Sequence, residues 1–257
     1  MSRCLNICRY ALLCGLLAAL ALTGCATGGK SDGKTVSAEK MYQEARQGMD
    51  KGDFKGAIDK YEKLEVQYPF GPYTQQAQLD IAYAYYRYNE ADSAIAAAER
   101  FIKLNPRHPQ VDYAYYLRGL ADFDRTRSGF DKWTKIDSAK RDPQTARKSY
   151  DNFAELIKRF PQSQYRADAL QRMVYLRNYL ARHELYVADY YLRRGAYVAA
   201  ADRVRYIIEN YPRTPSVAKG LPIMAEAYKK LGLDELYQDT LRVIRQQSNA
   251  AAEQRPG

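Results

Sequence analysis

Four helical stretches of the chain end the same way, on an aromatic or apolar pair followed by proline. They read Leu-Glu-Val-Gln-Tyr-Pro at Pro69, Phe-Ile-Lys-Leu-Asn-Pro at Pro106, Leu-Ile-Lys-Arg-Phe-Pro at Pro161 and Ile-Ile-Glu-Asn-Tyr-Pro at Pro212. Seventeen residues before three of these prolines lies a six-residue turn and helix start, at Gly52–Ala57, Asn89–Ala94 and Gly195–Ala200. Gly52 and Asn89 are 37 residues apart, as are Gly195 and Gly232. Ala45, Ala82, Ala188 and Ala225 fall at one equivalent position, with Gly48, Tyr85, Tyr191 and Tyr228 three residues later. The spacing has a physical logic. Small residues let paired helices approach closely, Gly or Asn breaks the chain in the left-handed conformation, and Pro cannot continue a helix.

This pattern resembles the tetratricopeptide repeat. It predicts an all-α superhelix of about five helix pairs, in units 38–69, 74–106, 110–161, 164–212 and 216–246. One pair has too little core alone, so neighbours must stack. The third unit is irregular: its helices span about Gln110–Asp124 and Pro143–Phe160, split by an insertion at 125–142 that holds the only Trp. Gln164–Arg194 has no Gly or Pro, which predicts one helix of about 45 Å, or two with a slight break.

The ends read differently. Ala11–Leu22 is an apolar run behind Arg3 and Arg9, too short to span a bilayer, and it leads into Leu22-Thr-Gly-Cys25. A Cys directly after Leu-Thr-Gly resembles the bacterial lipoprotein signal, with residues 1–24 removed and Cys25 diacylated. Ala26, rather than Asp, follows it, which by the same resemblance favours the outer membrane. Residues 25–37 are Gly, Ser, Thr, Lys and Asp with little to bury, and read as a flexible tether reaching about 20 Å. Residues 248–257 read as a disordered tail.

Cys4, Cys8 and Cys14 leave with the signal, so no disulfide is available, and with two His apart in sequence no Cys/His metal site forms. Losing Arg3 and Arg9 lowers the net charge from +10 to +8, a surplus suited to anionic headgroups or an acidic protein partner rather than nucleic acid. Twenty-four Tyr against seven Phe suit half-buried positions whose hydroxyls stay wet.

No catalytic motif is present. GxSxG, HExxH and GxxxxGK[ST] are absent, His108 lies in an inter-repeat turn, and His183 lies mid-helix. No catalytic, metal-binding or cofactor-binding residue is assigned, and the chain reads as a non-enzyme. Binding is better supported. Tyr68, Phe70 and Tyr73 sit in Tyr-Pro-Phe-Gly-Pro-Tyr, where two prolines rigidify the backbone that presents the rings. Tyr83, Tyr85, Tyr86 and Tyr88 follow, Tyr85 as a wedge between helices. Tyr113, Tyr115 and Tyr116 form a second cluster whose consecutive rings cannot all be buried on one helical stripe. Arg203 and Arg205 open a helix in which Val204 faces inward, so Arg203, turned by about 100°, is free to reach a partner.

The strings YPFGPY, FIKLNP, RDPQTAR and RGAYVA, behind a lipoprotein-type Cys, resemble the BamD family of tetratricopeptide lipoproteins in the β-barrel assembly machinery. The resemblance runs from Cys25 to about Arg245, with the insertion as the main departure. It implies an outer-membrane, lipid-anchored scaffold on the periplasmic face. Such a scaffold docks on the last periplasmic domain of BamA through C-terminal repeats, binds BamC and BamE, and engages C-terminal signals of unfolded outer-membrane β-barrel proteins through N-terminal repeats. By position, Tyr68 falls where substrate contact is expected and Arg203 where coupling to BamA is expected. The alternative is a competence lipoprotein associated with peptidoglycan.

Overall fold

The computed structural model describes residues 37–127, 137–140 and 142–253. The signal, Cys25 and the tether up to residue 36 lie outside these, as do residues 128–136 and 141 of the insertion and 254–257 of the tail. Among the described residues ten α-helices form five pairs: α1 Ala38–Asp50, α2 Phe54–Gln67, α3 Pro72–Arg87, α4 Ala91–Leu104, α5 Val111–Arg127, α6 Gln144–Arg159, α7 Arg166–Arg193, α8 Tyr197–Asn210, α9 Pro215–Lys230 and α10 Asp234–Glu253.

The turn inside four of these pairs is one device repeated. Gly52, Asn89, Gly195 and Gly232 all take positive φ, at 81°, 66°, 77° and 70°. The next N–H then reaches back five residues to a helix carbonyl: Asp53 to Gly48 (2.9 Å), Glu90 to Tyr85, Ala196 to Tyr191 and Leu233 to Tyr228 (3.0 Å each). Those four acceptors are the second repeated marker of the sequence, and the bond is the helix-ending bond that a left-handed residue permits. The first marker, Ala45, Ala82, Ala188 and Ala225, is buried in all four.

Unit three keeps the spacing at a residue that the sequence reading passed over. Gly119 lies 37 residues after Ala82 and is buried, and a Cβ there would stand 2.7 Å from the Phe153 ring. Helix α5 therefore meets α6 through a bare glycine.

Each helix packs on its chain neighbour, and the first helix of a pair also meets that of the next, as α1 with α3, α3 with α5 and α7 with α9. The main core gathers Phe101, Leu117, Phe153, Leu156 and Leu176, all fully buried, while Tyr61 and Leu64 centre a second cluster in the first two pairs. Helix α7 is a single helix of 28 residues, about 42 Å long. Leu176 and Tyr179 in its first part join the main core, and Ala188 near its end packs with Val204 and Met224.

Two boundaries differ from expectation. Helix α5 runs on to Arg127, its last turn tied back by Arg125 and Thr126 to Asp122, and α10 continues through Ser248 to Glu253, where Ala, Gln and Glu are good helix formers once the preceding turns are in place. The described end of the insertion is a 3-10 turn, Ser138–Lys140, fastened to α7. Asp137 accepts from Tyr186 (2.6 Å) and pairs with Arg182 (3.1 Å), and the Ala139 carbonyl accepts from His183 Nδ1 (2.8 Å). No helix among the described residues is long and apolar enough to cross a membrane.

Candidate functional site

The junction between α2 and α3 is built by its prolines. Tyr68 caps α2, its N–H donating to the Leu64 carbonyl at 2.8 Å while its own carbonyl accepts from the Thr74 hydroxyl. Gly71 at φ 124° swings the chain into Pro72, which starts α3 with its φ already set for a helix. The three candidate rings receive different places. Phe70 is 91% exposed, whereas Tyr68 and Tyr73 are half-buried. Tyr73 lies 5.7 Å from the Tyr42 ring and its hydroxyl faces Glu39, so it fastens α3 to α1 as well as edging the junction.

Behind Tyr73 a polar node ties the first two pairs together. Buried Asp80 accepts from Tyr42 (2.7 Å), Tyr61 (3.2 Å) and Gln76 (3.1 Å), with Arg46 at 3.9 Å. Burial, and then the Asp80 charge, push both phenols well above the ordinary tyrosine value. Beside this node opens a cavity of about 530 Å³, walled by Arg46, Phe54, Asp80, Tyr83, Arg87 and Tyr113. The Arg87 guanidinium lies 4.9 Å from the Phe54 ring centre and bonds the Tyr83 hydroxyl at 2.6 Å. The walls come from four helices spread over residues 46–113, so no local motif could have announced the cavity.

The second aromatic cluster is divided, with Tyr115 buried and Tyr113 and Tyr116 half-buried. Tyr115 is buried against Phe160, and Tyr113 and Tyr116 pack on Tyr165 with ring centres 5.2 and 4.7 Å away. Consecutive rings cannot share one stripe, and although α5 is covered by α3, α4 and α6, Tyr113 keeps an edge on the cavity beside Asp80.

At the C-terminal half, Val204 is fully buried as expected, but Arg203 is not free. Its Nη1 sits 3.1 Å from Oε2 of Glu184 on α7, and the Glu184 side chain is only 8% exposed against 43% for Arg203. Arg205 is exposed and pairs within α8, with Asp202 at 2.8 Å and Glu209 at 4.0 Å. Sequence reasoning missed Glu184. The available signal was its position four residues before Ala188, on the same inward face of the helix.

Neither histidine is placed for catalysis. His108 stacks edge-on against Phe101 and accepts the Gln110 N–H, while His183 holds the insertion. Among the described residues no group of three His, Cys, Asp or Glu side chains could hold a metal ion.

Residues 34–243 match the family model YfiO, described as outer membrane lipoprotein. The chain is 46% identical over 230 residues to the outer membrane protein assembly factor BamD of Neisseria gonorrhoeae, covering 88% of this chain and 86% of that one. It is 38% identical over 236 residues to BamD of Vibrio cholerae (92% and 98% covered) and 35% identical over 230 residues to BamD of Haemophilus influenzae (89% and 87%). A stack of helix pairs with this turn chemistry, matched along nearly its whole length, places the chain in the BamD family of outer membrane protein assembly factors.

Proposed function

We propose that the chain is a non-catalytic scaffold that receives unfolded outer-membrane β-barrel proteins at its first two pairs and docks on the last periplasmic domain of BamA through its C-terminal pairs. BamC and BamE complete its partners, and diacylation of Cys25 holds it at the periplasmic face of the outer membrane. The observation that carries the reading is Phe70, a large ring 91% exposed on a junction stiffened by Pro69 and Pro72. A ring fixed in that way meets an apolar segment with little left to order on binding. Tyr68 lies beside it, and Arg203 and Arg205 supply the positive edge of the docking half.

The test replaces Phe70 by a photocrosslinking residue in the full chain and presents a peptide from the C-terminus of a barrel protein. Crosslinking that falls in a Tyr68→Ala background supports the reading, and no crosslink overturns the substrate half. Capture of BamA's periplasmic region from detergent extract supports the docking half, and sedimentation with purified sacculi without BamA capture overturns it. Cys25→Ser should leave the protein outside the outer-membrane fraction, and normal fractionation without detectable lipid would overturn the anchor.

A further inference from the structure

Arginines in this fold are repeatedly held between two acids, one of which, for Arg46 and Arg125, is nearly buried. Arg46 spans Asp50 (3.6 Å) and Asp80 (3.9 Å), Arg118 spans Glu99 (3.7 Å) and Glu155, and Arg125 spans Asp92 (2.6 Å) and Asp122 (2.8 Å). Shared between two carboxylates, a guanidinium fork is fixed in its plane. Arg203 has the buried half of this arrangement in Glu184, and its remaining edge is exposed. Glu184 is itself anchored well, in the middle of α7 where that helix packs on α8, with the charge of Arg147 on α6 also facing it.

We propose that Glu184 is a positioning residue, whose buried carboxylate fixes the Arg203 guanidinium in the orientation in which it meets an acidic face of the docking partner. This rests on the reading above that Arg203 faces BamA. A half-exposed arginine without an anchor samples many rotamers, and ordering it on binding costs about three- to tenfold in affinity. A charge-assisted bond is about twice as strong as a neutral one, so Glu184 removes most of that cost in the free protein. Glutamine at the same place keeps the shape and an acceptor oxygen but not the charge.

The experiment titrates the full chain against BamA's periplasmic region with four proteins: wild type, Glu184→Gln, Arg203→Leu and the double variant. Glu184→Gln should weaken binding about three- to tenfold, Arg203→Leu should weaken it at least as much, and the double variant should match Arg203→Leu. If Glu184→Gln weakens binding further in the Arg203→Leu background, the residue is merely structural and the proposal falls. Unchanged or tighter binding by Glu184→Gln, with Arg203→Leu impaired, also overturns it. Unchanged binding by Arg203→Leu overturns the docking reading itself, which is a different result. Should Glu184→Gln fail to fold, Arg203→Lys keeps a charge on Glu184 but loses the fork, and wild-type affinity there sinks the proposal. Arg100→Leu breaks a similar pair with Glu65 (3.3 Å) between α4 and α2 and should leave the affinity unchanged. An equal loss there would mean general loosening of the stack and would overturn the assignment.

Discussion

Tyr42 donates its hydroxyl to Asp80 at 2.7 Å, across 38 residues and from α1 to α3. Tyr86 makes the same bond to Asp124, again 38 residues on and from α3 to α5, at 2.5 Å. Tyr116 makes it to Asp168 from α5 to α7, at 2.6 Å. Successive pairs are thus linked by phenol-to-carboxylate bonds, which helps explain why the chain is so rich in tyrosine. Sequence reasoning left tyrosine hydroxyls in water, but those of Tyr42, Tyr61, Tyr86 and Tyr116 are engaged with the next pair.

Tyr86→Phe should keep the packing and lose one such link. A hydrogen bond to a charged group contributes about 1.5–3 kcal/mol, so urea unfolding should show a loss towards the lower end, Asp124 being able to find water. No change in the midpoint would show the link to be energetically idle.

The same bonds make the fold sensitive to alkali. Burial first, then the bond to Asp168, pushes Tyr116 up from 10.0 to about 12, and Tyr211 rises to about 12 chiefly by burial. A phenol whose value is raised on folding stabilises the folded state fully below pH 10, and that contribution disappears as pH rises from about 10 towards 12. Unfolding free energy measured at pH 8, 9, 10 and 11 should be flat at first and then fall, with phenolate absorbance lagging behind that of free tyrosine.

Gly119→Ala should destabilise although alanine is the better helix former. Its Cβ would meet Phe153 ring atoms at 2.7 Å, and that ring is fully buried. Overpacking costs about 1–3 kcal/mol and outweighs a propensity gain of about 1 kcal/mol. A raised melting temperature would contradict this.

Arg203→Leu should cost stability whatever it does to docking, because Glu184 stays buried with its nearest cation gone. Breaking a buried pair costs about 3–5 kcal/mol, and the half-exposed arginine reduces this to about 1–2 kcal/mol. Thermal melts of Arg203→Leu and of Arg203→Leu with Glu184→Leu should show partial recovery in the double variant.

Arg213 holds φ at 62° in the turn between α8 and α9, where a side chain is strained. Arg213→Gly should therefore stabilise by up to about 1 kcal/mol, since glycine takes this conformation freely. Destabilisation would mean that the exposed arginine side chain makes compensating interactions.

Five helix pairs, and in four of them the turn and the inward alanine, were legible in the order of residues alone. These depend on backbone chemistry within a few residues: a left-handed Gly or Asn, a Pro that stops a helix, a small residue at a close approach. Tyr68, Phe70 and Tyr73 could be marked as a rigid aromatic junction for the same local reason. Which of those rings is exposed, that Tyr115 is buried while Tyr113 and Tyr116 are half-covered, and that Arg203 leans on Glu184 became visible in three dimensions alone. Each of these depends on which helices lie on either side and at what register. A single helix face does not encode that, because its neighbours are fixed by packing across 19 to 52 residues of intervening chain.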